Sequence, residues 1–389
     1  MSSGAKQILQ IAKEPVRGVI PAPFDRVSTP FTEVTLNSVP NRADAEDILD
    51  TRLAQPGAIT SVDHTGDVNA SLRFGTFDDL LAAAAFNEWN GDTLTFGGSV
   101  RQTFSMTRGY SDINNYHTFS GVHVNTLNIE VPEDGIITVG FGLIGMGRDP
   151  SKSIPSGTVT NPALKPPFTS VSVGDILIDG VSQAGKACIS AFSFNWDNGM
   201  QPQTCLGLGL RKGAIIETSA SGTGSITIAW SENAAELYEG QFANKIVSIV
   251  VPLVDSEDNT YLLTIPKLQL GGELPTGGRD EILQASFDYT TVLEAPTLKR
   301  TAGVPATGVT VAPATVSLVT AGATRQLTAT VAPPTATNKT VTWVSSDNAV
   351  ATVDDDGLVT AVANGTAIIT AISDSGGFEG TSSVTVEIP

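Results

Sequence analysis

The chain of 389 residues has room for two or three domains. With 41% hydrophobic and only 16% charged residues it is not a disordered chain. Its net charge of −18 sets the surface against nucleic acid and anionic membranes, and no apolar run reaches the ~18 residues that span a bilayer.

The opening "MSSGAKQILQIAKEP" lacks the basic start and apolar core of a secretion signal, so a product made in the cytoplasm is expected. Residues 1–30 read as an N-terminal arm, with Ile8, Leu9 and Ile11 suggesting a short helix or an extended arm. "DVNASLRF" (67–74) alternates as a strand, with Val68, Ala70, Leu72 and Phe74 on one face. "TFDDLLAAAAFNEW" is the single convincing internal helix. Thr76 is placed to cap it, Asp78 and Asp79 suit its positive end, and Leu80, Leu81, Ala84, Ala85 and Trp89 form its apolar face. Strand alternation returns in "VRQTFSMTRGY", "HVNTLNIEV", "GIITVGFGL", "ACISAFSFNW", "SITIAW", "NKIVSIVV", "TYLLTI" and "ILQASFDYTTV", with turns such as "PEDG" and "SEDN" between them. Residues 149–170, rich in proline, serine and glycine, read as a long loop.

The stretch "ITVGFGLIGMG" places Gly140, Gly142 and Gly145 in the spacing of a dinucleotide-binding turn. That chemistry needs a helix to follow, whose N-terminal amides hold the pyrophosphate. Pro150, Pro155, Pro162, Pro166 and Pro167 follow instead and forbid it. The expectation is a strand in which these glycines admit a neighbouring chain or ring, which makes them candidate assembly contacts. No cofactor is expected.

Other chemistry fails on spacing. "GVSQA" lacks one glycine of a nucleophile elbow, and no histidine lies downstream of Ser182. His64, His117 and His123 are the only histidines; the last two share a face of an unbroken strand, but a third metal ligand is not evident. Asp78/Asp79, Glu133/Asp134 and Glu257/Asp258 sit at a helix start or in turns, where solvated acids are common, so no glycosidase pair stands out. Cys188 and Cys205 lack zinc spacing and are expected as buried free thiols. No catalytic residue is assigned and no enzyme is expected.

Near residue 296 the composition shifts. "EAPTLKRTAGVPATG" reads as a linker, which gives domains at 1–295 and 305–389 joined by 296–304. The last segment, with Gly322 before Gln326-Leu327, then "VTWVSSD", "VATVDDDGLVTAV" and "GTAIITA", resembles the bacterial immunoglobulin-like domains of group 2. That implies a small β-sandwich with Trp343 filling its core, Leu327, Ala329 and Val331 pointing inward, and likewise Ala367, Ile369 and Ala371. "DDD" at 354–356 reads as an exposed turn, since calcium-loop spacing is absent.

The stretch 105–147, with Tyr116, Phe119, Gly121, "VNTLNIEV" and "GIITVGFGLIGMG", resembles the tail tube proteins of long-tailed, siphovirus-type bacteriophages. "ISAFSFNWDNGM", "LYEGQFANKIVSIVVPLVDSEDNTYLLTIPKLQL" (read as a hairpin) and "GRDEILQASFDYTTV" follow in the family's order, so the resemblance covers about 60–293. It implies a mainly β tail-tube sandwich or barrel domain with one flanking helix. It also implies a structural virion protein: hexameric rings stacked into a tube, with tape measure, tail terminator and distal tail proteins as partners. DNA would pass through a lumen whose acidic lining repels phosphate, although the sequence leaves open which acids face inward. Loop 149–170 and the N-terminal arm are expected at ring-to-ring contacts. The immunoglobulin-like domain would decorate the tail, with host-surface glycans as a possible ligand. A secreted adhesin is the alternative, and a tail-associated glycan hydrolase a third reading.

Overall fold

The computed structural model describes residues 4–44, 47 and 56–389. The chain divides into two compact units, one of residues 1–253 and 261–299, the other of residues 254–260 and 300–389.

The first unit is built from β1 (Gln7–Lys13), β2 (Arg26–Ser28), β3 (Asn37–Ala43), β4 (Ala58–Ser71), α1 (Asp78–Ala85), β5 (Phe104–Tyr110), β6 (Asn115–Val131), β7 (Thr138–Gly145), β8 (Gly147–Ser151), β9 (Ile189–Asp197), β10 (Ser221–Ala229), α2 (Glu232–Phe242), β11 (Thr260–Gly272) and β12 (Gln284–Thr291), with further strands between, Ile246–Val254 among them. The long strand β6 serves two sheets. Its first residues pair with β5 and β8, and its last nine, from His123 on, lie along β7 and β9. The change falls at Gly121, whose φ of 62° is the left-handed region and where a side chain would strike Met146. The smaller sheet runs β2–β1–β5–β6–β8. The larger runs β3–β4–β7–β6–β9–β10–β12–β11, antiparallel throughout.

Alternation then decides the core. Leu9, Ile11, Met106 and Phe119 come from the smaller sheet, and Val68, Phe141, Leu127, Ile129, Phe194 and Phe287 from the larger; all belong to one buried cluster. Burying each such side chain contributes about 1.5–3 kcal/mol. Among the described residues the pairings leave the large sheet open, so within one chain the sandwich is present and a closed barrel is not.

Several local expectations are corrected. Residues 7–13, read as part of an arm or a helix, are a strand paired along its whole length with β5. Helix α1 starts at Asp78 after Phe77, without the Thr76 cap, and stops at Ala85 because Phe86 turns left-handed, with φ 52°. Trp89 lies beyond the helix and donates from Nε1 to the Asp78 carbonyl at 3.0 Å. A second helix, α2, replaces the front of the expected 237–270 hairpin. Ser231 accepts from the Ala234 amide at 3.3 Å to cap it, and only Ala234 is fully buried, so its apolar signal was weak. Among the described residues there are thus two α-helices where one was expected.

In the second unit, Gly365–Ser373 pairs with Glu379–Val386 and Val341–Ser345, and Thr315–Leu318 adds in parallel to the C-terminal strand. Leu327, Val331, Ala367, Ile369 and Ala371 are buried and Ala329 half-buried, following the expected alternation. Trp343 does not fill the centre as expected. It is half-buried and packs at the margin against Gly357, whose φ of 81° makes the turn. The "DDD" run is that turn, with Asp354 Oδ1 accepting from the amides of Asp356 and Leu358.

Candidate functional site

The outward face of the large sheet is the most distinctive surface of the first unit. Its register aligns side chains in rows across the strands. One row reads Glu33, Asn69, Gly140, Asn128, Asn195, Thr223, Thr290, Gln269. The next reads Ser71, Thr138, Glu130, Ser193, Ser225, Asp288, Gly271, and a third Asp67, Gly142, Thr126, Asp197, Ser221. Glu33, Asp67, Glu130, Asp197 and Asp288 are all exposed, and these rows contain no lysine, arginine or large apolar residue. The residues alternating with them, from Val68 to Tyr289, form the core, so the same strands present oil to one side and acid to the other.

Neighbours hold the carboxylates in place. Asn128 Nδ2 donates to Glu130 Oε1 at 2.9 Å, the Gly199 amide to Asp197 Oδ1 at 2.7 Å, and Thr35 Oγ1 to Asp67 Oδ2 at 3.4 Å. These rows therefore present fixed negative charge with no cation among them. Field lines from such a surface repel a polyanion at distances up to a Debye length, about 8 Å at physiological salt.

Gly140 and Gly142 lie on this face in the middle of the sheet, with β4 and β6 paired on either side of them. A side chain at Gly140 would meet Asn69 Oδ1, and one at Gly142 would collide with Thr126 Oγ1. Gly145 turns to the opposite side against His64 Cβ and Val122. The structure thus brings two of the three motif glycines together and not the third. No helix follows them: β8 and the proline-rich segment do.

The histidines sit elsewhere, in a basic neighbourhood. His64 is pushed down to about 4 by burial, aided by Arg148, Lys212 and Arg211, and its Nδ1 lies 2.7 Å from Ser38 Oγ. His123 falls to about 4, again by burial first and then by Arg17 and Arg101; its Nδ1 is 2.9 Å from the Gly121 carbonyl. His117 is lowered by burial, then by Arg148, Arg108 and Lys152. His117 and His123 lie on the one strand β6, as expected, with the left-handed Gly121 between them where the strand passes from one sheet to the other. Among the described residues no three His, Cys, Asp or Glu side chains gather around a metal-sized space.

Cys188 and Cys205 are free, but neither is buried as expected: Cys188 is exposed and Cys205 half-buried. Ser182 Oγ only accepts from the Ala184 amide at 3.2 Å, in a two-residue strand. Asp78 accepts from Tyr261 at 2.6 Å, a structural bond at a helix start. What sequence reasoning missed was the identity of the acids on the open face. The signal was present, since Asp67, Glu130, Asp197 and Asp288 each alternate with core residues, but assigning them to one surface required the strand register.

Comparison with known proteins fits this architecture. The phage tail tube protein family matches residues 4–291. The chain belongs to that family. A bacterial Ig-like domain of group 2 matches residues 305–384. Two curated relatives are similar over short stretches: an alpha-L-arabinofuranosidase of Bifidobacterium longum subsp. longum, 41% identical over 108 residues, which are 28% of this chain and 10% of that protein, and a lacto-N-biosidase of Bifidobacterium bifidum, 56% identical over 55 residues, 14% of this chain and 5% of that protein. The chain thus spans a tenth or less of either. Among solved structures, the N-terminal four Ig domains of Dscam1 isoform 9.44 align at 9% identity over 98% of this chain and 100% of that one, with a TM-score of 0.18 that carries no argument. The tail tube family is a structural one of the phage tail and not one of enzymes. No helix among the chain's described residues is long and apolar enough to cross a membrane.

Proposed function

We propose that this tail tube protein forms hexameric rings that stack into the tail tube, with the acidic face of the large sheet turned to the channel through which DNA leaves for the host. The observation that carries the reading is the set of five carboxylates in three adjoining rows of the outward face of the large sheet, rows that contain no cation. A lining of this kind lets DNA slide without adhering, because every approach of phosphate is unfavourable and no aromatic or guanidinium offers a stacking or bridging contact. The open edge of the sheet at β3 would pair across copies and remove an edge that an isolated subunit leaves bare.

In this reading Gly140 and Gly142 serve assembly by keeping the channel wall low, and Gly145 by keeping β7 close to His64. Assembly takes place in the host cytoplasm with tape measure, terminator and distal tail partners. The immunoglobulin-like unit decorates the tail exterior, either passively or as a weak ligand for host-surface glycans.

The test is charge reversal on the proposed lining. Glu130→Lys with Asp288→Lys leaves the buried side of the strands untouched and places twelve lysines in each six-subunit ring. Tubes of this variant are expected to retain added linear DNA in co-sedimentation at low salt and release it as salt rises, whereas wild-type tubes retain none. Variant tubes that ignore DNA as wild-type tubes do would remove this face from the channel.

A further inference from the structure

Beneath the proline-rich segment lies a cation that the subunit does not neutralise. Arg26, on β2, is 2% exposed. Its Nη2 donates to the Pro155 carbonyl at 2.6 Å, its guanidinium lies 4.6 Å from the centre of the Phe24 ring, and its Nε and Nη1 have no hydrogen-bond partner. The adjacent acid acts on it only through space, since Asp25 Oδ1 accepts from the Thr158 amide at 2.9 Å. Burial pulls the Arg26 guanidinium below its usual range, against the opposing pull of Asp25. A buried guanidinium with one neutral acceptor is an unfavourable arrangement in a molecule with 40 acidic residues.

The surroundings point the same way. The β1–β2 register puts Arg26 on the same side as Ser28 and Gln10, and that side of the small sheet continues through Thr107 and Thr118. Gln10, Thr107 and Thr118 are buried, and Gln10 Oε1 has no partner either. Sheet faces buried against a core are mainly apolar, as Leu9, Ile11, Met106 and Phe119 on the other side of these strands are; a polar face covered over is the composition of a surface that meets another polar surface. The cover over Arg26 is thin. Residues 151–160 attach there through Pro155, through the Arg26 amide donating to the Thr158 carbonyl at 2.9 Å, and through the two-residue parallel pairing of Val159–Thr160 with Arg26–Val27. Exposed Arg148 and Lys152 flank the same segment.

We infer that Arg26 is a latent docking point for a carboxylate of a second copy of this chain, closed in the free subunit by residues 151–160 and opened on assembly. The inference rests on the tube-forming reading above and names one contact within it. The flanking cations draw in a carboxylate-bearing segment of an otherwise acidic partner, the cover lifts, and Nε and Nη1 gain the bidentate acceptor they lack.

Arg26→Met keeps the stem and removes the charge; Arg26→Lys keeps the charge and loses the fork. For each variant and for wild type, the critical concentration for tube formation is read by sedimentation and negative stain, and the stability of the unassembled subunit by urea unfolding. Arg26→Met is expected to raise the critical concentration at least about tenfold, equal to about 1.4 kcal/mol, with subunit stability unchanged or higher, and Arg26→Lys to recover part of the loss. An Arg26→Met subunit that assembles at the wild-type concentration overturns the inference. So does one that unfolds more readily than wild type or fails to fold, since the charge would then be serving the free subunit. If wild type itself forms no tubes, the assembly reading fails first and takes this contact with it.

Discussion

The two most buried histidines make the stability of the unassembled subunit depend on pH in a calculable way. His64 and His123 stay neutral in the folded protein down to about pH 4, against 6.5 when exposed, because burial and neighbouring cations both oppose protonation. Above pH 6.5 both are neutral in either state and their contribution is complete. Between 6.5 and 4 the unfolded chain takes up protons that the folded one refuses, so stability falls as pH falls, by about 1.4 kcal/mol per pH unit for each histidine. Below pH 4 each has cost about 3 kcal/mol, and the pair together a large part of the 5–15 kcal/mol typical of a domain. The assay is urea unfolding followed by tryptophan fluorescence at low protein concentration, at pH 7.5, 5.5 and 4.5. Carboxylates titrate over part of this range, so wild type is compared with His64→Gln/His123→Gln, which retains an amide donor at both positions. The double variant is expected to be less stable at pH 7.5 and to lose less on acidification. Parallel curves for the two proteins, or histidine resonances titrating near 6.5, would refute the reasoning.

Further outcomes concern the core and the sheet. Phe141→Ala empties a fully buried site beside Phe77 and is expected to cost about 3–5 kcal/mol in the same unfolding assay. Gly142→Leu drives Thr126 from its position on the open face; it is expected to cost the subunit about 1–3 kcal/mol and to impair tube formation more strongly, with no nucleotide binding detectable by calorimetry in either form. Ser231→Ala removes the cap of α2 and is expected to cost about 0.5–2 kcal/mol, read as a lowered unfolding midpoint. Removing residues 305–389 is expected to leave tubes intact under negative stain; a drop in host adsorption of phage carrying the truncation would assign the lost domain a ligand.

Sequence periodicity made the strands legible because it also builds the core. Val139, Phe141 and Leu143 alternate with polar or small residues, and that alternation is what the large sheet uses. Helix α1 was visible for a similar reason, since Leu80 to Ala85 are all buried. Helix α2 was not, because its apolar stripe is short, with Ala234 fully buried and only Leu237 and Tyr238 packed partly against the core beside it. The β1 strand was hidden by Gln10, a polar residue buried where the pattern calls for an exposed one. The acidic face was half legible: composition gave the charge and alternation gave the side, but only register joins Asp67 to Asp197 across three intervening pairings. Arg26 had no signature at all, since nothing in "FDRVS" distinguishes a buried arginine from an exposed one.

The open face is unlike the rest of this protein's surface, and that difference bears on its role. Elsewhere the chain leaves large apolar side chains in solvent: Leu206, Val171, Ile282 and Phe242 are all well exposed. It also carries cations on exposed positions, Arg148 and Lys152 among them. Neither kind of residue occurs in the acidic rows, although β strands favour large branched and aromatic side chains and a solvated face tolerates lysine well. Solubility alone does not call for excluding both, because scattered lysine and valine are harmless there. A surface that a polyanion must pass without stopping does: each lysine would hold a phosphate, and each apolar side chain narrows the passage. Only carboxylates, small polar groups and glycine satisfy both demands, and those are the residues at Glu33, Gly140, Thr126, Ser225 and Asp288.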